Sequence, residues 1–325
     1  MGIDFEPLYS DLAGNMKASE IRELLKLTAK PDIISFAGGL PNPKAFPIEE
    51  LKELSVEILN DYGPLALQYG ATEGVTPFRE YLKDAYTKEK EFCDGDELIV
   101  TNGSQQALDL LGKIMLNTGD KVVAEAPTYL GGSNAFLVYG CDVIHVEMDD
   151  EGMKMGELED VLRRLHSAGT PPKFLYMIPT FQNPAGVTMP ESRRREFLEM
   201  VYQYDNLTVI EDDPYGRLRF EGEHQRSLKS LDTEGRVLSM KTLSKILVPG
   251  FRIGIITGPS ELVQKLVIAK QSADLCSPAF NQFVAWKYME YGYVEKQIKL
   301  ICDMYMRKRD LMLEALDKHL SLIHI

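Results

Sequence analysis

The chain has 325 residues, of which 44% are hydrophobic and 26% are charged, and its net charge is −13 at pH 7. This length suffices for one large domain and a smaller second one. The composition is that of a globular protein and argues against disorder. The acidic charge argues against non-specific binding to nucleic acid. We predict that the one basic cluster, Arg193–Arg195, lies on the solvated face of a helix.

Targeting signals and cysteine usage point to the cytoplasm. The first residues, MGIDFEPLYSDLAG, contain acids and no apolar core, unlike a signal peptide. No apolar run in the sequence approaches the length that crosses a bilayer. The four cysteines are scattered without a CxxC pair, which predicts reduced thiols and argues against a disulfide frame or a zinc site. We therefore expect a cytoplasmic protein with no membrane partner and no metal.

The chain begins with two helix candidates that are separated by a loop. The stretch SEIRELLKLT (19–28) has helical spacing of its apolar residues, and Pro47 opens a second helix. Between them, SFAGGLPNPKAFP (35–47) is rich in Gly and Pro and predicts an irregular segment.

The middle of the chain alternates short apolar runs with amphipathic helix patterns. Runs of Val, Ile and Leu without polar alternation predict strands that are buried on both faces. Their alternation with helices predicts an α/β fold with a mostly parallel sheet covered by helices. The predicted strands are residues 97–101, 121–126, 141–148, 173–179, 208–213, 236–240 and 252–258.

The C-terminal part is predicted to be helical. After Leu275 the helical pattern continues almost to the end, with a break near Gly292. We expect one long helix to leave the main domain there. The last five residues, SLIHI (321–325), complete no element, so we expect an incomplete second domain and an assembly scar at this end.

Two motifs at predicted strand ends carry polar groups suited to a ligand. In TNGSQQ (101–106), Gly103 permits a tight turn, and Ser104 and Gln105 open a helix whose N-terminus favours an anion. A plainly capped helix would have the same residues. In EDDPYG (211–216), an acid at a strand end could pair with a cationic ring nitrogen, or the motif could be a solvated turn. A metal is the minority interpretation, because His224 is the only histidine nearby.

Two further motifs are weaker when taken alone. Asn183 in FQNPAG (181–186) could donate its amide to a ligand oxygen or could stabilise an Asn-Pro turn. Tyr129 in APTYLGG could stack on a flat ring, although a packed tyrosine is the commoner case. The five histidines form no catalytic or metal-binding pattern and are interpreted as incidental.

The stretch KTLSKILVPGFRIG (241–254) places Lys245 and Arg252 around a Pro-Gly turn between two apolar runs. A buried lysine is costly unless it is neutral, paired or covalently used. With Thr242 and Ser244 beside it, Arg252 could complete a phosphate site with the Ser104 turn. Phosphate, aldehyde and basic ring nitrogen would then each have a partner. These motifs jointly predict pyridoxal phosphate as the ligand.

Seven motifs in order carry a resemblance to a known family, over the chain from about Asp11 to its end. They are ISFAGGLPNPKAFP, LQYGATEG, GSQQALDLLGK, PTYLGG, FQNPAG, EDDPYG and TLSKILVPGFRIG. The chain thereby resembles the fold-type I pyridoxal-phosphate-dependent aminotransferases of class I and II, most of all the 2-aminoadipate and kynurenine-type branch. The resemblance implies transfer of the amino group of an L-amino acid, with a 2-aminoadipate-like, aromatic or branched side chain, to a 2-oxo acid such as 2-oxoglutarate.

The resemblance also implies roles for single residues. Lys245 is expected to bind the cofactor aldehyde covalently and to act as the general base, and Asp212 to keep the ring nitrogen protonated. Substrate contacts are expected from Gly39, Arg22 and Asn183. The other implied cofactor contacts are Asn183 and Tyr215 at the ring oxygen, Tyr129 stacked on the ring, and Ser104, Gln105, Thr242, Ser244, Arg252 and Tyr69 at the phosphate.

Tyr69 is expected to reach the phosphate across a dimer interface, so a homodimer is implied. Residues 1–50 would form an N-terminal arm with a substrate segment, residues 51–290 the large cofactor-binding domain, and residues 291–325 the truncated start of a small domain. The family has a carboxylate-binding arginine in that small domain. Arg307 and Arg309 lie in a helical run and do not match it.

Two alternatives keep the fold but change the function. One is the sensor domain of a transcriptional regulator, against which the acidic charge and the lack of a basic N-terminal extension argue. The other is a pyridoxal-phosphate lyase or decarboxylase, which would be separated from an aminotransferase by its products.

Overall fold

The computed structural model describes residues 2–16, 32–33 and 39–320. In these ranges the strands are β1 (Asp96–Thr101), β2 (Lys121–Ala126), β3 (Asp142–Asp149), β4 (Gly152–Met153), β5 (Pro172–Met177), β6 (Thr208–Asp213), β7 (Val237–Thr242) and β8 (Gly254–Pro259). The helices are α1 (Asp11–Asn15), α2 (Ile48–Ala66), α3 (Thr76–Lys88), α4 (Ser104–Met115), α5 (Leu130–Leu137), α6 (Met155–Ser167), α7 (Glu191–Val201), α8 (Leu228–Leu231), α9 (Ser260–Ala273), α10 (Ala279–Glu290) and α11 (Tyr293–His319).

The strands form one sheet in the order β1-β8-β7-β6-β5-β2-β3-β4. The five strands β7, β6, β5, β2 and β3 pair in parallel. β8 is antiparallel to both β1 and β7, and β4 is antiparallel to β3. The predicted strands are all present, with ends that differ by one or two residues, and the two-residue β4 was not predicted. The prediction of a mostly parallel sheet is confirmed.

Helices cover both faces of the sheet because alternate strand residues point to opposite sides. On β6, Ile210 packs into a cluster with α4, α5 and α9. Its neighbour Val209 packs on the other side with α6, α7 and α8. A third cluster joins α2, α3 and α10 to the β1 end of the sheet. The predicted α/β architecture is therefore confirmed.

One edge of the sheet collects the ends of six strands. We call it the carboxyl edge and define it by the last residues of β1, β2, β5, β6 and β7 and the first residue of β8: Thr101, Ala126, Met177, Asp213, Thr242 and Gly254. Gly254 pairs with Thr101 on one side and with Thr242 on the other. A Cβ on Gly254 would lie 2.6 Å from the Gly103 carbonyl carbon, so this close approach requires glycine. The edge of a parallel sheet where strands end is where its ligands bind.

One sequence prediction is wrong. Arg194 does not lie on a solvated face, because its side chain is only 1% exposed. It donates hydrogen bonds to the carbonyl oxygens of Met189, Arg226 and Pro179 and to the Thr180 hydroxyl, at 2.7 to 3.0 Å. The guanidinium carries five donors, and these acceptors offset the cost of burying it.

The C-terminal helix is confirmed. Gly292 has a φ of +70° and stands at the N-cap of α11, which is 27 residues long. The stretches 19–28 and 321–325, for which a helix and an assembly scar were expected, lie outside the described residues. In the described part of the chain, no helix has both the length and the apolar character needed to cross a membrane.

Candidate active site

Lys245 follows the end of β7 and lies in the region of the carboxyl edge. Its Nζ is 5.9 Å from the centroid of the Tyr215 ring. Burial, together with the nearby Arg252 charge, lowers the pKa of Lys245. No described carboxylate forms an ion pair that would reverse this shift. The amine is therefore set to spend more of its time neutral than an exposed lysine would, which a nucleophile or a base requires.

Three backbone segments form an anion cradle beside Lys245, consisting of the Gly103–Ser104 turn, Thr242–Ser244 and Arg252. Gly103 is the N-cap of α4 with a φ of +76°, and a Cβ there would lie 2.4 Å from Arg252 Nη2. The guanidinium thus lies directly against the helix N-terminus. The Ser104 Oγ is buried and has no hydrogen-bond partner among the described residues. A helix N-terminus, hydroxyls and a guanidinium together favour a phosphate.

The hydroxyl pair on the other side of the cradle is buried and ordered by short contacts. The Thr242 Oγ1 lies 3.0 Å from both the Ser244 hydroxyl and the Ile253 carbonyl oxygen. It accepts a hydrogen bond from the Ser244 backbone N–H at 3.1 Å. The predicted Gln105 differs, because its side-chain amide donates to the Gly131 carbonyl at 2.9 Å. Its backbone N–H in the first turn of α4 is the group that faces an anion at the helix N-terminus.

Asp212 is 2% exposed and lies on the same face of β6 as Ile210. Its Oδ2 accepts a hydrogen bond from the Tyr176 hydroxyl at 3.0 Å, whereas its Oδ1 has no partner in the described part of the chain. The pKa of Asp212 is raised to about 7, and burial is the main cause. The hydrogen bond from Tyr176 opposes this rise, and the Asp213 charge adds to it. A cationic N–H at Oδ1 would complete this carboxylate and keep it ionised.

The remaining predicted ring contacts lie around the same edge. Asn183 Nδ2 donates to the Tyr215 hydroxyl at 3.4 Å, so the Asn183 amide and the Tyr215 hydroxyl lie side by side. The ring of Tyr129 lies against Gly131, where a Cβ would come within 2.4 Å of Tyr129 Cζ. Burial raises the pKa of Tyr215, and so does the Asp212 charge. The structure thus brings Asn183 and Tyr215 together and ties the Tyr129 loop to the same region through Gln105.

A buried acid that the sequence analysis missed joins two of these loops. Glu125 Oε2 accepts hydrogen bonds from the Ile178 N–H at 3.1 Å and from Gln182 Nε2 at 3.2 Å. Gln182 also donates to the Pro127 carbonyl at 2.8 Å and accepts from the Ala185 N–H at 2.8 Å. This arrangement holds the loop before Tyr129 against the loop that contains Asn183. The sequence signal for this contact was weak, because Glu125 and Gln182 are 57 residues apart. Only Gln182 belongs to a motif that the sequence analysis singled out, FQNPAG.

Two predicted residues, Tyr69 and Gly39, are not brought to this edge by contacts among the described residues. Tyr69 is 79% exposed. Gly39 is exposed with a φ of +50° and has no atom within 4 Å of its ideal Cβ position. Arg22 lies outside the described residues.

Residues at the carboxyl edge fit pyridoxal phosphate. The cofactor presents a ring N–H, a phosphate and an aldehyde. The buried Asp212 Oδ1 and Ser104 Oγ lack partners among the described residues and match the first two groups. Lys245 supplies an amine for the aldehyde. Within the described residues, no group of three or more His, Cys, Asp or Glu side chains could hold a metal ion.

Comparisons with known proteins agree with this fit. Residues 36–324 match the family described as "Aminotransferase class I and II". The chain is 48% identical over 320 residues to aromatic-amino-acid aminotransferase 1 of Thermococcus litoralis. The alignment covers 97% of this chain and 76% of that protein.

Two solved structures are similar throughout. A kynurenine aminotransferase from Pyrococcus horikoshii, solved with PMP, KYN and KYA, superposes with a TM-score of 0.94 at 51% identity, over 98% of this chain and 79% of that chain. An α-aminoadipate aminotransferase from Thermus thermophilus, complexed with N-(5'-phosphopyridoxyl)-L-leucine, gives a TM-score of 0.88 at 38% identity, over 98% and 78% of the two chains.

These comparisons do not favour the regulator or the lyase, because the three proteins reported above, at 38 to 51% identity, are all named as aminotransferases. They also identify the sheet architecture as that of fold-type I. From the edge geometry and the family match together, the chain belongs to the class I and II aminotransferases and is a pyridoxal-phosphate-dependent transaminase.

Proposed function

We propose that this enzyme transfers the amino group of an L-amino acid with an aromatic or 2-aminoadipate-like side chain to a 2-oxo acid such as 2-oxoglutarate, with Lys245 as its catalytic residue. The observation that carries the proposal is the partly buried Lys245 amine, whose pKa is lowered by burial and by Arg252. Proteins named for aromatic, kynurenine and α-aminoadipate substrates are among the similar ones, which supports this donor class.

Each group at the carboxyl edge has a proposed task. When bound, the cofactor supplies an electron-withdrawing ring that stabilises negative charge at the substrate α-carbon. Asp212 holds a proton at the ring nitrogen through Oδ1, and Tyr176 orients that carboxylate through Oδ2. Lys245 Nζ holds the cofactor covalently. Once released from this bond, its neutral amine would accept the proton from the substrate α-carbon.

The other site residues position the ligand. Asn183 and Tyr215 donate to the ring oxygen, and Tyr129 packs on the ring. Gly39 contacts the substrate carboxylate, and Arg22 the substrate side chain. The proposed phosphate contacts are Ser104, Gln105, Thr242, Ser244 and Arg252, with Tyr69 reaching in from a second subunit.

We further propose a homodimer, three parts of the chain and a cytoplasmic location. The exposed Tyr69 follows exposed apolar residues at the end of α2, Leu65 and Leu67, which supports an interface there. The three parts are an N-terminal arm (1–50), the large domain (51–290) and a small-domain segment (291–325). The scattered spacing of the four cysteines, without a CxxC pair, supports a reducing compartment.

The test is an absorbance titration of the purified protein with pyridoxal phosphate, followed by a panel of amino acids led by 2-aminoadipate, kynurenine and aromatic donors. We expect a visible band from the covalent link to Lys245 and its conversion to the near-ultraviolet band of the aminated cofactor. Lys245→Ala should form no such band and lower the turnover by on the order of 10³-fold or more. A Lys173→Ala variant, altered at the start of β5 on the opposite edge of the sheet, should behave as the parent. A band in Lys245→Ala would refute the assignment.

A further inference from the structure

A cluster of polar residues lies behind the anion cradle and takes no direct part in the proposed chemistry. We call it the Lys270 network and define it as Lys270 and Asp274 from the end of α9, Gln106 from the first turn of α4, and Asn102 from the turn after β1. Lys270 is fully buried, with 0% exposure. Burial of an ammonium is costly unless its protons are bonded and its charge is balanced.

The network satisfies Lys270 completely. Its Nζ donates to Gln106 Oε1 at 2.9 Å and to both carboxylate oxygens of Asp274 at 2.8 Å. Three acceptors therefore meet the three ammonium protons. Burial lowers the pKa of Lys270, and the hydrogen bond and charge of Asp274 act in the opposite direction.

The same groups hold the backbone of Asn102 in place. The Asn102 N–H donates to Gln106 Oε1 at 2.8 Å, and the Asn102 side chain donates to Asp274 Oδ2. Gln106 Nε2 donates to the same Asp274 oxygen at 2.6 Å. On the other side, the Asn102 carbonyl accepts a bond from Arg252 Nη2 at 3.4 Å. The peptide that leads into Gly103 is thus held from both sides.

Gly103 and Ser104 follow directly, and their orientation decides where the first N–H groups of α4 and the Ser104 hydroxyl point. Gly103 has a φ of +76°, which a glycine adopts without strain because it has no Cβ. The same lack of a Cβ leaves its backbone more conformational freedom than other residues have. A loop with such freedom needs an external support to present donors in one fixed direction.

We propose that the Lys270 network positions the Asn102–Ser104 turn to receive the cofactor phosphate, so that Lys270 and Asp274 are positioning residues for cofactor affinity. The inference rests on the proposed phosphate site of Ser104 and Arg252. It goes beyond that site because Lys270 and Asp274 contact the turn from behind, through Asn102 and Gln106, and not through the cradle itself.

A purely structural ion pair is the competing explanation, and the chain contains a matched example. Lys229 and Asp96 form an ion pair at 2.9 Å with side chains that are 2% and 6% exposed. Asp96 is the first residue of β1, whereas Asn102 follows its last residue, Thr101. The two ion pairs therefore lie at opposite ends of one strand, each with a buried lysine, and only one of them lies next to the cradle.

The experiment compares affinities for pyridoxal phosphate and for pyridoxal, which lacks the phosphate. The 325-residue chain is freed of cofactor and titrated with each ligand, and its thermal unfolding is recorded alongside. For Lys270→Met we expect the dissociation constant of pyridoxal phosphate to rise at least about tenfold, because the donors to the phosphate lose their orientation. The constant for pyridoxal should change by less than about twofold. Lys229→Met should leave the ratio of the two constants unchanged even if its melting temperature falls.

Asp274→Asn provides a second variant in case Lys270→Met does not fold, and we expect the same selective loss. Arg252→Met tests the underlying site. If Arg252→Met leaves the ratio unchanged, the proposed phosphate site is wrong. If Arg252→Met changes the ratio but Lys270→Met and Asp274→Asn do not, the phosphate site stands and the positioning role is overturned. An equal change of the ratio in Lys229→Met would also overturn it, because the effect would then follow from stability alone.

Discussion

The two faces of β6 can be compared through two consecutive acids, Glu211 and Asp212. Both are buried, and burial is the largest cause that raises the pKa of each to about 7. On the face covered by α7 and α8, Glu211 accepts the N–H groups of Leu228 and Lys229 at 2.8 and 2.9 Å, and Arg194 lies 3.8 Å away. On the other face, Asp212 has one hydrogen bond, and its Oδ1 has no partner in the described part of the chain.

Under the proposed function, the difference separates a carboxylate that stabilises the fold from one that binds a ligand. Glu211 has hydrogen-bond donors and a charge partner within the protein, whereas a bound cation would be needed to offset the desolvation of Asp212. The Glu211 face of β6 still supports the site. Arg194, which lies on that face, also donates to the Pro179 carbonyl and the Thr180 hydroxyl of the loop that leads to Asn183. Burial and a raised pKa therefore do not distinguish the two roles, but the hydrogen-bond partners do.

The largest effect on kcat should come from removing the charge of Asp212. We expect Asp212→Asn to lower kcat for amino transfer on the order of 10³-fold, because a neutral amide does not stabilise a protonated ring nitrogen. Its unfolding free energy should be unchanged or higher, since a poorly paired buried carboxylate is removed. Steady-state kinetics at saturating cofactor and denaturant unfolding measure the two quantities. A kcat within tenfold of the parent would contradict the distinction between the faces.

The matched change on the other face of β6, at Glu211, should lower stability and leave kcat nearly unchanged. Glu211→Gln is expected to lower the free energy of unfolding by about 3 kcal/mol, because Arg194 loses its charge partner and one backbone N–H loses its acceptor. The kcat per folded molecule should stay within about twofold, since the site geometry is kept. Glu199→Gln, an exposed change on α7, is the control and should be neutral in both measurements. A selective loss of kcat in Glu211→Gln would assign this acid to the chemistry.

A smaller effect is expected in the pH dependence of stability, from Glu125. Burial raises its pKa to about 7 from an ordinary 4.5, and the bonds from Ile178 and Gln182 lower it. The folded state thus binds this proton more tightly than the unfolded state, so its contribution to stability is full below pH 4.5 and is lost as the pH rises through about 7. Between those limits, the stability of the parent should fall by about 3 kcal/mol relative to Glu125→Gln.

Unfolding free energies at a series of pH values test this expectation, with Glu147→Gln as the control. The exposed Glu147 has its pKa lowered by the hydrogen bond from Lys154, so its contribution is lost only as the pH falls below 4.5. The control should therefore match the parent between pH 4.5 and 7. Parallel curves for the parent and Glu125→Gln in that range would show that the acid is ionised throughout.

Much of the fold could be predicted from local sequence. The runs of Val, Ile and Leu identified the strands within one or two residues, because burial on both faces leaves a continuous apolar signature. The motifs around Asn183, Asp212 and Lys245 could be placed at strand ends for the same reason. The two-residue β4 was missed, since two residues carry no periodicity.

The supporting contacts could not be predicted in this way. Arg194 stands in a basic triplet that indicates a surface, yet its acceptors Pro179 and Arg226 lie 15 and 32 residues away. Lys270 and Gln106 are 164 residues apart. Gln106 offered the one local hint, since a glutamine in the first turn of a helix often caps it.

The amino-acid order alone established the strands, the helices and the chemical groups that follow each strand, because these depend on neighbours within a few residues. Tertiary packing determined which of the buried polar groups have partners within the described chain and which have an atom without one. Glu211 and Asp212 are adjacent in sequence and similar in chemistry, but they point to opposite faces of β6 and meet different elements. Their roles differ because the free energy of a buried charge depends on the atoms packed around it, and distant segments of the chain supply those atoms.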